Sequence, residues 1–248
     1  MFRLLNIFIV CCIVVGLSRP VAAAIVYSDT FEPSGSTVAP GVTASWTDNG
    51  IATTPSGRHF RGSDASLGYY NTPVGLTVSN LPAHSSLSIA FDLYVIQSWD
   101  GSGPSSAPDV FDLTISSTST SLIHATFSNA GQDQSYPDNY VNSGSPLHTY
   151  RTGAAEINTL GYTFVGGDTV YHLVFTVNHL ASSETFTFSA SFIDGAPVIT
   201  NESWGLDNVV VSTAAVNDGS VPEPASMAIW GIGALGCAVA GYRRRKAA

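Results

Sequence analysis

Short stretches of alternating apolar and polar residues run through the middle of this 248-residue chain. In the clearest, residues 86–96, apolar side chains occupy every second position: Leu87, Ile89, Phe91, Leu93 and Val95. The positions between them are mostly small or polar: Ser88, Ala90, Asp92 and Tyr94. Because successive side chains of a β-strand point to opposite faces, this period predicts a strand with one buried and one exposed face.

Other apolar runs of strand length lie between clusters of Gly, Ser, Asn, Asp and Pro, and no convincing amphipathic helix separates them. The predicted strands cover residues 76–79, 110–116, 122–127, 170–178, 185–193 and 206–212. Strands with one buried face favour an all-β, antiparallel sandwich of two sheets over a parallel α/β sheet. We expect residues 28–58 and 128–149 to form loops or very short edge strands, and 209–211 to complete a sheet.

The first 24 residues have the pattern of a secretory signal peptide. Arg3 supplies a cationic start, residues 4–17 are mainly apolar, and the small residues up to Ala24 offer a cleavage site. Cys11 and Cys12 lie inside the apolar part, so cleavage near Ala24 removes both. The pattern predicts export of the chain.

The C-terminal end combines a proline-rich triplet, an apolar run and a basic end. The apolar run covers residues 225–242 and is followed by four cations: Arg243, Arg244, Arg245 and Lys246. As a helix it measures roughly 27 Å, close to the ~30 Å of a hydrocarbon core. The pattern predicts one transmembrane helix with its basic end in the cytoplasm. By hydropathy alone, an ordinary single-pass tail anchor is the preferred interpretation.

The Pro-Glu-Pro triplet favours a more specific interpretation than a tail anchor. Val221, Pro222, Glu223 and Pro224 precede the apolar run, and together with it and the basic end they resemble the PEP-CTERM sorting signal of exported bacterial proteins. The resemblance implies processing by an exosortase after transient residence in the inner membrane. It also implies a surface or matrix location and a role in biofilm or extracellular polysaccharide. The predicted divisions are a signal peptide (1–24), a β-sandwich domain (25–216), a spacer (217–220) and a sorting signal (221–248).

The exported part is strongly acidic. Residues 25–223 contain 18 carboxylates and only three fixed cations, Arg58, Arg61 and Arg151, so their formal net charge is about −15, or 3 minus 18. Such a surface repels phosphate backbones and argues against nucleic acid as a partner, whereas it attracts divalent cations. The same region contains no cysteine, which excludes disulfides and thiol catalysis there.

Two short segments resemble the first and last strands of jelly-roll carbohydrate-binding modules and lectin-like domains. They are residues 27–32 and 204–209. In many such modules, acidic groups at these places share a structural calcium ion. The resemblance therefore implies calcium ligands at Asp29, Glu32 and Asp207, although turn capping by the same side chains fits the sequence as well.

Aromatic and polar loop residues mark a candidate glycan-binding surface, since aromatic rings stack on sugars while amides and carboxylates bind hydroxyl groups. Trp99, Asp100 and Tyr136 are the candidate polysaccharide-binding residues. Two alternatives remain open at this stage. Trp99 fits a buried packing position equally well, and Asp100 followed by glycine is also an ordinary turn signal.

The sequence shows no catalytic motif of a known hydrolase type. Asp92 and Asp112 form the first carboxylate pair to test for glycoside hydrolysis, and His172 and His179 lie on opposite faces of a predicted strand. We therefore predict a non-enzymatic matrix component or glycan binder. A secreted polysaccharide hydrolase or lyase, and a purely structural calcium-dependent surface protein, are the alternatives.

Overall fold

The computed structural model describes residues 23–102, 108–142, 144–163, 166–192 and 199–214. These residues form 13 β-strands, all paired antiparallel, and no helix. Within the described ranges there is accordingly no helix with the length and apolarity to cross a membrane. Most of the predicted signal peptide, the spacer 217–220, the transmembrane helix 225–242 and the whole sorting signal lie outside the described residues.

The larger sheet has eight strands. Six follow one another in the order β10 (Glu156–Ile157), β11 (Asp168–Asn178), β7 (Ser86–Gln97), β13 (Glu202–Ala214), β1 (Ala24–Asp29) and β2 (Thr37–Val38). The remaining two form a short hairpin attached to β13, namely β4 (Ile51–Thr53) and β5 (His59–Arg61). The predicted terminal strand therefore lies between two long neighbours and completes the sheet.

The smaller sheet has five strands in the order β3 (Thr43–Trp46), β6 (Val74–Ser79), β12 (Ser183–Ser191), β8 (Val110–Ile115) and β9 (Thr120–Thr126). The chain crosses between sheets from β6 to β7 to β8, and again from β11 to β12 to β13, as in a jelly roll. The two-sheet antiparallel sandwich is confirmed. The short strands β2, β3 and β4 also confirm the expectation for residues 28–58.

The main core lies between the inner faces of the two sheets. All five alternating apolar residues of β7 are buried in it, and so are Phe186 and Phe188 of β12. Phe91 of β7 meets Phe188 edge to face, with ring centroids 5.2 Å apart. The period of two therefore places the apolar side chains where the sequence predicted them.

Tyr94 corrects the prediction for the other face of β7. We expected it on the exposed face with Asp92, but it is 1% exposed. The β4–β5 hairpin and the segment before β11 cover this end of the larger sheet and form a second, smaller core. Its members are Ala52, Phe60, Tyr94, Ile96, Leu160, Tyr162 and Val170.

Strand register defines two ends of the sandwich. At one end, which we call the tail pole, β13 ends at Ala214, and Ala24 of β1 pairs with Thr213. At the other, the far pole, β7 ends at Gln97 opposite Glu202. The 12 residues of β7 are separated by 11 steps of ~3.3 Å, so the poles are roughly 36 Å apart. Both chain ends of the sandwich therefore leave from the tail pole.

Candidate functional site

Trp99 lies in the interior of the far pole. Its side chain is 0% exposed, and its ring meets Phe192 edge to face at 4.7 Å between centroids. The indole Nε1 donates to the backbone carbonyl of Ser203 at 2.8 Å. A sugar ring therefore has no access to this indole. In the structure Trp99 occupies a buried packing position.

Asp100 and Tyr136 also serve local structure. Asp100 lies at a turn, where Gly101 has a φ of 68° and the Asp100 amide donates to the carboxylate of Asp109. Tyr136 is half-buried, and its ring stacks on Phe127 with centroids 4.9 Å apart. Burial raises the pKa of Tyr136. The structure does not bring Trp99, Asp100 and Tyr136 together on one exposed surface.

Two of the predicted calcium ligands lie near the end of β1 and already have protein partners. The carboxylate of Asp29 accepts from the Phe31 amide at 2.8 Å and from the Tyr27 hydroxyl at 3.1 Å. Glu32 accepts from the His59 ring at 2.7 Å, and this contact lowers the pKa of Glu32.

Asp207, the third predicted ligand, is buried in β13. Its Oδ2 accepts from the Tyr94 hydroxyl at 2.6 Å, and burial raises its pKa to about 6. Among the described residues, no three acidic, histidine or cysteine side chains converge as a metal site. The geometry of Asp29, Glu32 and Asp207 does not fit a shared ion, and calcium binding stays a prediction.

The carboxylate pair considered for hydrolysis is not a pair. Asp92 lies on the outer face of the larger sheet, where it contacts His172, and Asp112 lies on the outer face of the smaller sheet, where it contacts His124. Stacked sheets pack about 10 Å apart, so the two carboxylates are farther apart than the ~5 Å or ~9 Å that glycoside hydrolysis needs. His172 and His179 are also separate, because His179 is buried beside Glu184.

A cleft of about 600 Å³ opens at the far pole. Three parts of the chain that are distant in sequence form its walls: 129–131 after β9, 150–151 before β10, and residues of 158–163 and 166–167 before β11. Asn129 joins the cleft to the end of β7, since its amide donates to the carbonyls of Val95 and Gln97, both at 3.0 Å.

Tyr150 and Arg151 give this cleft its chemistry. The guanidinium carbon of Arg151 lies 5.5 Å from the centroid of the Tyr150 ring, which is 40% exposed. Arg151 Nη2 donates to the carbonyl of Gly166 at 2.5 Å, which fixes the guanidinium across the cleft. Whereas Arg58 pairs with Glu156 at 2.8 Å, Arg151 forms no ion pair with any described residue.

The opposite wall depends on a buried carboxylate and two glycines. Asp168 is fully buried and accepts from the amides of Leu160 and Tyr162, at 2.9 and 3.2 Å. Gly166 and Gly167 both have positive φ, and a Cβ at Gly166 would lie 2.8 Å from the carbonyl oxygen of Gln97. The close approach of the chain at this wall therefore requires glycine.

Sequence reasoning did not find this cleft. Arg151 was noted as one of three cations in the exported region, but the residues that face it are separated by long connections. The usable signals were the tyrosine–arginine pair at 150–151 and the double glycine at 166–167.

Residues 220–246 match the PEP-CTERM protein-sorting motif. This match confirms the predicted sorting signal, which implies recognition by an exosortase and direction to the cell surface. Among curated proteins, no sequence matches the chain.

Three solved structures resemble the chain at low identity. They are latent PorU from Porphyromonas gingivalis (12% identity, TM-score 0.34), an exo-β-1,3-galactanase from Phanerochaete chrysosporium with β-1,3-galactotriose (14%, 0.26) and a family 35 carbohydrate-binding module from Clostridium thermocellum (8%, 0.28). They align with 80%, 71% and 78% of this chain. The chain spans only 14% and 30% of the first two proteins but 99% of the third. Similarity at this level does not identify a ligand.

Proposed function

We propose that this chain is a surface-sorted, non-enzymatic glycan-binding protein that binds extracellular polysaccharide through the cleft at the far pole. The observation that carries the proposal is the exposed Tyr150 ring beside the guanidinium of Arg151, which forms no ion pair within the described part of the chain. An aromatic face packs against the C–H groups of a sugar ring, and guanidinium N–H groups donate to its hydroxyl or carboxylate oxygens.

The position of the cleft supports this function. The sorting tail begins beyond Ala214 at the tail pole, and the cleft lies at the opposite pole, roughly 36 Å away along β7. A protein held by its C-terminal segment therefore presents the cleft away from the membrane. Processing near Pro222-Glu223-Pro224 then releases the sandwich to the surface or the matrix with its cleft unchanged.

The cleft itself favours binding over catalysis. The described residues that line it include no aspartate, glutamate or histidine. A hydrolase needs a general acid and a base or nucleophile at the bond that breaks. Asp168, the carboxylate behind the wall, is fully buried and held by two backbone amides.

Isothermal titration against a panel of neutral and acidic polysaccharides tests the proposal. We expect Tyr150→Ala to weaken binding at least tenfold, which corresponds to about 1.4 kcal/mol. Tyr140→Ala is the matched control, because Tyr140 is a half-buried tyrosine beside His124, outside the cleft. The proposal fails if no polysaccharide binds, or if both variants bind as tightly as the unmodified protein.

A further inference from the structure

The tail pole carries no charged side chain other than buried ones. Six described segments meet there through strand register and turn contacts: 23–25, 39–43, 79–86, 116–120, 179–183 and 212–214. None contains an aspartate, glutamate, lysine or arginine. Their two histidines, His84 and His179, are 2% and 4% exposed. In a region with 18 carboxylates, this end of the molecule therefore presents an uncharged surface.

The same surface is apolar at its tip. Leu180, in the turn between β11 and β12, is 80% exposed, and Ile25 near the start of β1 is 59% exposed. Pro82 and Ala83 are exposed in the neighbouring turn. Exposed carboxylates lie elsewhere, as at Asp133 in the far-pole loop. Exposed apolar side chains on an uncharged surface are suited to contact with a membrane or with a partner protein.

Chain length places a membrane next to this surface. Only residues 215–224 separate Ala214 from the apolar run 225–242, which the sequence predicts to span the bilayer. Even fully extended, ten residues reach at most about 35 Å. Ser85 donates its amide to the carbonyl of Ala214 at 3.0 Å, so the chain leaves the sandwich from within the uncharged surface.

We propose that the tail pole docks on the lipid bilayer surface before processing, with Leu180 entering the headgroup region. Exposed carboxylates at this pole would be repelled by anionic headgroups, and the six described segments contain none, while the neighbouring Glu184 is 1% exposed. An apolar side chain among uncharged hydroxyl-bearing neighbours suits the membrane interface. Docking holds the sandwich upright, with its far pole toward the exterior and the PEP-CTERM segment at the membrane surface.

Spin-label depth measurements on the full chain in phosphatidylcholine–phosphatidylglycerol vesicles test the docking. One label is placed by Leu180→Cys and a matched label by Leu147→Cys, after serine replaces Cys11, Cys12 and Cys237. Leu147 is a 53% exposed leucine next to His148, which pairs with Gln134 on the far-pole side. We expect the label at 180 to collide severalfold less with a water-soluble nickel chelate than the label at 147, and more with oxygen.

A second pair of variants distinguishes a label that is protected by the membrane from one that is protected only by neighbouring protein groups. With a label at Ala83→Cys, Leu180→Asp should restore collisions with the nickel chelate, whereas Leu147→Asp should not. Equal nickel access for the labels at 180 and 147 would overturn the proposal. A full chain that does not co-sediment with the vesicles would overturn it as well, because docking depends on the membrane segment. Neither result bears on glycan binding by the cleft.

Discussion

The Nε2 atom of His84 lies 2.7 Å from the Nδ1 atom of His179, and both rings are buried at the tail pole. His84 Nδ1 lies 2.6 Å from the carbonyl oxygen of Pro82, and His179 Nε2 lies 3.3 Å from Oε2 of Glu184. Two neutral imidazoles carry only two N–H protons for these three contacts. All three contacts can be hydrogen bonds only when one of the two histidines takes up a further proton and becomes charged.

We predict that this pair makes stability fall at mildly acidic pH. Burial lowers the pKa of His179 in spite of Glu184. Burial also raises the pKa of Glu184, but hydrogen bonds from Ser116, Ser117 and Thr185 outweigh this, and the net pKa is lowered. Below the ordinary histidine pKa of about 6.5, the unfolded chain takes up the His179 proton first, so acid favours unfolding.

Thermal melting of the region 25–216 between pH 7.5 and 5.5 checks this. Glu184 stays ionised across that window. We expect His179→Asn to be less stable at pH 7.5 by about 1–3 kcal/mol, because His84 and Glu184 remain buried without their partner. Between pH 7.5 and 5.5 this variant should lose less further stability than the unmodified protein. His172→Asn is the control at an exposed histidine. Parallel pH curves for the unmodified protein and His179→Asn would contradict the prediction.

We expect alanine substitutions of Arg61 and Arg58, two arginines of the same hairpin region, to differ widely in their effect on stability. Its guanidinium lies 4.8 Å from the Phe31 ring and 4.6 Å from the Trp46 ring, and the side chain is buried. Arg61→Ala should therefore destabilise the protein by about 2–4 kcal/mol, through lost packing and cation–π contact. Arg58→Ala should cost at most about 1 kcal/mol, because its ion pair with Glu156 is partly exposed. Urea unfolding of both variants measures the difference, and equal losses would refute the account.

Asp207 should make stability depend on pH in the opposite direction to His179, and in a lower pH range. Its pKa, raised to about 6 by burial, means that the folded protein keeps a proton that the unfolded chain has released. Stability should therefore fall as pH rises from about 4 to 6, by up to about 3 kcal/mol, and Asp207→Asn should flatten this slope.

The same variant tests the calcium prediction. If Asp29, Glu32 and Asp207 hold calcium, the melting temperature of the unmodified protein rises with calcium and falls with EDTA, and Asp207→Asn abolishes the response. The geometry described above predicts melting that is insensitive to both.

The sorting signal predicts a processing defect. Pro224→Ala or Glu223→Gln should leave the chain in the membrane fraction with its basic end intact, because the residues of the PEP-CTERM motif are changed. Asp218→Asn is the control, because residue 218 lies outside the matched residues 220–246. Intact-mass measurement of each fraction reports whether Arg243 to Ala248 remain, and normal processing of both motif variants would remove the sorting account.

The sandwich was predictable because its evidence is local. Alternation over 11 residues placed Phe91 and its neighbours inside without knowledge of the partner strand. Tyr94 shows the limit, because it is buried by Phe60 and Tyr162, which approach from distant parts of the chain. The cleft was hidden for the same reason, since Asn129, Arg151 and Gly166 meet only after β9, β10 and β11 are in place. Charge alone drew attention to Arg151, and no local pattern revealed that it forms no ion pair with a residue that the structure describes.

Retention of the protein in the extracellular polysaccharide of its host tests the central claim most directly. The measurement compares the fraction of processed protein that co-purifies with that polysaccharide for the unmodified chain, Tyr150→Ala and the control Tyr140→Ala. Surface sorting with glycan binding at the cleft predicts processed, polysaccharide-bound protein in the first and third cases, and processed but soluble protein for Tyr150→Ala. Equal retention of all three, or retention of none, would contradict the account.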